Sequence, residues 1–205
     1  FKTITNVELY QIIFVSPNIR GLEKLKEVLW KVFDGKEFHR NQVETAQMSL
    51  FTEEDKIFEA WEKVLENSHL VTDGIVDEKK WLESSPKILF VLKEANHKGK
   101  PHSASLSREW LYDGAGSNTW GNIALWTHAI RHYKENLQWS DEINLRSLEK
   151  ARRKHHLQTV VAMNLKKTPG GANSNKAELR EFVKKHKGLL RSQVDLYWSQ
   201  TDIIV

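Results

Sequence analysis

The chain contains no cysteine and only four prolines among its 205 residues. Without cysteine there are no disulfides, thiolate zinc sites, thiol nucleophiles or cysteine-ligated iron–sulfur clusters. No apolar run approaches the ~20 residues that span a bilayer, and no secretory h-region is present. Also missing are a Walker A loop, Gly-x-Gly-x-x-Gly, Gly-x-Ser-x-Gly and His-Glu-x-x-His, which leaves P-loop hydrolysis, serine hydrolysis and zincin chemistry without support. What remains, 40% hydrophobic and 28% charged, suits a domain that buries a core. A cytoplasmic setting is expected, with no membrane partner, cofactor or metal. Phe1 and the strand-like end Asp202-Ile203-Ile204-Val205 read as a piece of a longer protein, whose other domains are expected partners.

A net charge of +4 conceals an asymmetry. Between Arg146 and Arg191 stand thirteen Lys/Arg against three acids, while the rest of the chain carries 18 bases and 24 acids. A basic block of this kind is either a set of solvated helix faces or the footprint of a phosphate-bearing partner.

Patterning divides the chain. Leu9 to Val15 is a short β-branched and aromatic run, followed by Ser16-Pro17 and by Leu22, Leu25, Leu29, Val32 and Phe33 at helical spacing. This strand–helix fragment ends at Asp34-Gly35, and a domain boundary is expected near Phe51. Thr52-Glu53-Glu54-Asp55 opens a helix with Ile57, Phe58, Trp61, Val64 and Leu65 on one face. Asp77 to Leu82 predicts a short helix, and Lys87 to Leu92 a strand covered on both faces. A loop runs from Lys93 to about Ser107, followed by a helical turn to Tyr112. Ser117 caps a helix through Trp120, Ile123 and Ile130, and another helix spans Asp141 to about His155. Thr159 to Leu165 is a second buried strand, Thr168 to Gly171 a loop, and Lys176 to Trp198 one or two helices. Asp202 begins a third strand. That order predicts a doubly wound α/β layer, whose ligands bind beyond the carboxyl ends of the strands.

The rule selects Lys93 to Asn96 and Asn164 to Gly171. Asn164, at the end of an apolar strand, either caps a turn or presents an amide, whose donor and acceptor can read the edge of a base. Lys166, Lys167 and Pro169-Gly170-Gly171 form a basic, backbone-exposing stretch suited to phosphate. Glu94, on the same rim, either pairs with a lysine or positions a water or a sugar hydroxyl. Trp120 and Trp126 cannot share one narrow helix face, so core packing competes with base stacking for these rings. His97 and His102 lack a third ligand, and His155-His156 reads as basic surface.

Two resemblances follow. Lys87 to Asn96, Val160 to Gly171, and Leu189-Leu190-x-x-Gln193-Val194 leading to Asp202-Ile203-Ile204-Val205 together resemble the uracil-DNA glycosylase superfamily. Lys93-Glu94-Ala95-Asn96 stands where that family has a Gly-Glu-Ala-Pro-Gly type motif. Asn164, Lys167 and Pro169 match its Asn followed by a Lys-containing, Pro-rich loop. Lys93 and Asn96 replace the motif's glycine and proline, and Thr168 replaces the cysteine of the iron–sulfur branches. The resemblance implies a three-layer α/β/α fold with a mostly parallel sheet for residues 52–205, incomplete at the C-terminus. It implies DNA as the partner of the basic block and hydrolysis of the N-glycosidic bond of a flipped base, with Glu94 and Asn164 catalytic and Asn96, Lys166, Lys167, Pro169, Gly170, Gly171 and Trp120 binding substrate. The alternative is a non-catalytic nucleic-acid-binding or interaction module of a larger protein. Residues 1–51, with Arg20-Gly21-Leu22-Glu23, Trp30-Lys31 and Gln47-Met48-Ser49-Leu50-Phe51, are similar to the end of the Rossmann-like three-Cys-motif partner proteins.

Overall fold

The computed structural model describes residues 49–66, 69–96, 105–132, 150–171 and 174–205. The strand–helix fragment expected before Ser49, the His97/His102 loop and the first part of the helix expected from Asp141 lie outside them.

Helix α1, Leu50–Leu65, begins two residues before the predicted start. Leu50, Glu54, Phe58 and Trp61 form its buried face, while Val64 is exposed. Ser49 makes no side-chain cap; instead Glu78 accepts the Leu50 N–H at 2.7 Å, so a carboxylate from the next helix serves the helix start. Leu50 and Phe51, grouped by resemblance with the preceding segment, pack in this domain's core. Strand β1 is Gly74–Ile75 and helix α2 is Glu78–Glu83, N-capped by Asp77, which accepts from the Lys80 N–H at 3.1 Å.

Strand β2, Ile88–Asn96, leads to a π-helical segment, Leu106–Leu111, and to α3, Asn118–Arg131, capped by Ser117 as expected. After α4, Lys150–Leu157, come β3, Val160–Gly170; α5, Lys176–Lys185; α6, Lys187–Trp198; and β4, Ile203–Ile204. The sheet order is β1-β3-β2-β4. β2 runs parallel to β3 and β4, with Ile88 opposite Val160 and Ile203, and β1 pairs antiparallel with β3.

Helices cover both faces, which explains the near-continuous apolar runs of the two inner strands. Leu89, Val91, Val161, Met163 and Leu165 pack against α1, α5 and α6 through Phe58, Trp61, Val183, Leu190 and Tyr197. On the other face Ile88, Phe90, Val160 and Ala162 pack against the π-helical segment, α3 and α4 through Leu111, Trp120, Ile123 and Leu157. The class is α/β with a mixed four-stranded sheet. The path out of β2 crosses one face and the path out of β3 crosses the other. The carboxyl ends of β2 and β3 therefore flank a topological switch point.

No helix among the described residues is long and apolar enough to cross a membrane.

Candidate functional site

Asn164 lies in β3 opposite Leu92, and not at a strand end as expected from sequence: β3 runs six residues further, to Gly170, because β2 continues beside it to Asn96. Met163 and Leu165 belong to the α1/α5/α6 layer, so strand alternation turns Asn164 to the opposite face. The residue is 1% exposed, its main-chain N–H donates to Asp73 Oδ2 at 2.7 Å, and its buried Nδ2 has no hydrogen-bond partner among the described residues. Leaving such a donor unpaired costs about 1–3 kcal/mol, a cost also met at Trp61 Nε1 and Trp81 Nε1 in the core.

Glu94, one pleat repeat beyond Leu92, lies opposite Lys166. Lys166 Nζ donates to Glu94 Oε2 at 3.0 Å and to Glu178 Oε1 at 2.5 Å. Burial works against the charged lysine, but Glu178 and Glu94 outweigh it and raise the Lys166 pKa, so the ammonium stays charged. An ideal Cβ on Gly170 would fall 2.1 Å from the Glu94 carboxyl carbon, so glycine there lets the carboxylate fold over β3.

The other site residues predicted from sequence are distributed around this pair. β3 continues through Pro169 to Gly170 where a loop from Thr168 is expected, because β2 also continues and Asn96 pairs with Gly170 across a register irregularity. Asn96 and Gly171 are exposed at that end. Lys167 is not offered on a loop: it is wholly buried, with Nζ 2.7 and 2.8 Å from the two oxygens of Asp73. Trp120 is 6% exposed and packs in the core. The exposed aromatics of this region are Trp110 and Tyr112. The described part of the basic block is split, with Lys150, Arg152, Arg153 and Lys154 on α4 and Lys176, Arg180, Lys184 and Lys185 on α5, over opposite faces of the sheet.

The chain matches no family model, no curated protein and no solved structure. Function must therefore be argued from the geometry. Among the described residues no cluster of His, Asp or Glu is arranged to hold a metal ion.

Sequence reasoning missed the largest polar feature, a buried network behind β3. Asp73 is its hub: Oδ1 accepts from Lys167 and from Gln193 Nε2 at 2.9 Å, and Oδ2 from Lys167 and the Asn164 N–H. Gln193 Nε2 also donates to the Tyr197 hydroxyl at 3.0 Å, and that hydroxyl donates to Glu54 Oε1 at 2.5 Å. Glu54 further accepts from the Ile75 N–H at 2.9 Å and from Arg108 at 2.8 Å. Burial pushes the Glu54 carboxyl up to about 7 despite the donors around it, and burial with the nearby acids raises Tyr197 well above its usual value. Burial also lowers the Lys167 pKa against the pull of Asp73. Two members carried a readable signal: Glu54 and Gln193 sit at helical spacing among apolar residues, Glu54 between Leu50 and Phe58, and Gln193 between Leu190 and Tyr197. Thr72-Asp73-Gly74 reads only as a turn.

A cavity of about 240 Å³ lies between α1 and the π-helical segment, lined by Asp55, Phe58, Glu59, Glu62, Thr72, Ser105 and Arg108. It contains none of the site residues predicted from sequence.

Proposed function

We propose that this chain is a DNA-processing protein that takes an extruded base against the β2–β3 pair and reads it with the Asn164 side chain. Hydrolysis of the N-glycosidic bond would then release the base and leave an abasic sugar. One observation carries this reading: a mid-strand asparagine on β3, beside β2, with a buried amide donor that has no partner among the described residues and a main chain moored by Asp73. The resemblance of the β2 and β3 segments to uracil-DNA glycosylases supports it, and so does the parallel β3-β2-β4 core. In this role Asn164 Nδ2 donates to a base carbonyl and Glu94, on the neighbouring strand, orients the water or the sugar. At 1% exposure the amide meets no solvent, so base entry requires the rim above it to open.

The experiment is alkaline strand cleavage of duplexes carrying uracil or another altered base, with the full chain and with Asn164→Ala. Cleavage at the altered base that falls about 10²–10³-fold in the variant supports the proposal. Absence of abasic sites with every altered base removes hydrolysis. The second reading, a non-catalytic nucleic-acid-binding module, is favoured by Lys166, which occupies the Glu94 carboxylate. Salt-dependent DNA binding without base release is its signature.

A further inference from the structure

The buried network is continuous from the surface to Asn164. Arg108, which lines the cavity, donates to Glu54; Tyr197 donates to Glu54; Gln193 bridges Tyr197 and Asp73; and Asp73 accepts the Asn164 N–H. We infer that this chain of hydrogen bonds is a relay, in which gain or loss of a proton at Glu54 resets the grip of Asp73 on the Asn164 main chain.

The relay has two arrangements because one acceptor is left over: Gln193 Oε1 is buried with no partner among the described residues. With Glu54 ionised, the Tyr197 hydroxyl donates to it, and Gln193 Nε2 is shared between the tyrosine oxygen and Asp73. When Glu54 takes a proton, its new O–H donates to the tyrosine oxygen, and the tyrosine proton needs another acceptor. Rotation of the Gln193 amide supplies Oε1 and withdraws Nε2 from Asp73. Asp73 then keeps Lys167 and the Asn164 N–H alone, and the mooring of β3 changes.

The charged groups around Glu54 are Arg108 from the π-helical segment, Asp55 beside Arg108, Tyr197 from α6, Asp73 before β1 and Lys167 from β3. Burial pushes the Glu54 carboxyl up to about 7, which brings its protonation into the neutral range. Gly74 preserves the contact, since a Cβ there would lie 2.2 Å from Glu54 Oε1 and 2.3 Å from the Tyr197 hydroxyl. The bearing of the relay on base reading rests on the function proposed above; the coupling itself does not.

The test follows the Asn164 backbone amide by ¹⁵N-resolved NMR on the full chain between pH 5.5 and 8.5. The expected result is a titrating shift with a midpoint near 7, lost in Glu54→Gln and in Tyr197→Phe. Glu54→Gln is isosteric and decides the matter alone if Tyr197→Phe fails to fold. An Asn164 amide that does not move in the native chain, or that moves equally in Glu54→Gln, overturns the relay. Loss of base release with the titration intact would instead remove the proposed activity and leave the relay standing.

Discussion

The two helical layers bury polar groups in opposite ways. On the α1/α5/α6 side every buried charge has a partner of opposite sign: Asp73 has Lys167, and Glu54 has Arg108. On the α3/α4 side Arg131 donates to Thr159 and to the Pro86 carbonyl, with no carboxylate among its described hydrogen bonds. Burial lowers its pKa to about 10. Beside it four imidazoles crowd together, His128 with ring centroids 4.4 Å from His132 and 5.1 Å from His156, and His155 5.3 Å from His156. Burial, then the neighbouring His128 and the other cations, lowers His156 to about 4. One layer thus holds paired charge, and the other holds His156, whose burial beside other basic groups favours the neutral ring. The paired layer should fail when a partner is removed, the histidine layer when protons are added.

Removing a partner has the largest expected effect. Asp73→Ala leaves Lys167 buried and unpaired and should cost about 3–5 kcal/mol in urea unfolding. The double variant Asp73→Leu/Lys167→Met should recover most of that loss. Equal losses for the single and double variants would show that the pair matters through packing and not charge.

Next comes Gly74→Ala, expected to cost about 2–3 kcal/mol. Gly74 has φ +106°, and the new Cβ would collide with Glu54 and Tyr197. A thermal midpoint unchanged by this substitution would contradict the close approach.

Protonation separates the layers directly. His156 moves from 6.5 when unfolded to about 4 when folded, so its contribution is full above pH 6.5 and is lost as pH falls through 4. Glu54 moves from 4.5 up to about 7, so its contribution is full below pH 4.5 and is lost as pH rises through 7. The two oppose each other where their ranges overlap, Glu54 by about 3 kcal/mol at most and the partly exposed His156 by less. Glu54→Gln should therefore make stability rise more steeply from pH 5 to 7, and His156→Gln should flatten or reverse the rise. Parallel pH profiles for the two variants would erase the distinction between the layers. The smallest effect is expected at a surface cap: Asn175, which accepts from the Ala177 N–H at 3.0 Å, should cost about 1 kcal/mol when changed to alanine, at any pH.

Much of the fold was legible because burial on both faces leaves a plain mark. Ile88 to Val91 and Val160 to Met163 are continuous apolar runs, and Ser117 sits at a helix start. What stayed hidden depends on partners distant in sequence. β1 has two residues and no periodicity, and its pairing rests on Gly74 and Ile75 meeting Ala162 and Val161. The continuation of β3 past Leu165 was masked by Lys166 and Lys167, whose charge reads as loop until Glu94, Glu178 and Asp73 are seen around them. For the candidate site, Asn164 and Glu94 do lie on neighbouring strands, but the strand ends expected at them fall further on, at Asn96 and Gly170. The burial of Asn164 was not legible, because it depends on packing around the strand and not on the strand itself. The basic block misled as a single surface, since β3 separates its α4 half from its α5 half.

The central claim is that the Asn164 amide is kept unpartnered for a base. Its most direct test is the affinity of the full chain for a duplex carrying a non-hydrolysable uracil nucleotide, set against the same duplex with a normal pair at that position. A preference of about tenfold or more for the uracil duplex, abolished by Asn164→Ala, is the expected result, worth roughly 1.4 kcal/mol. Equal affinity for both duplexes, or a preference that survives Asn164→Ala, would contradict it.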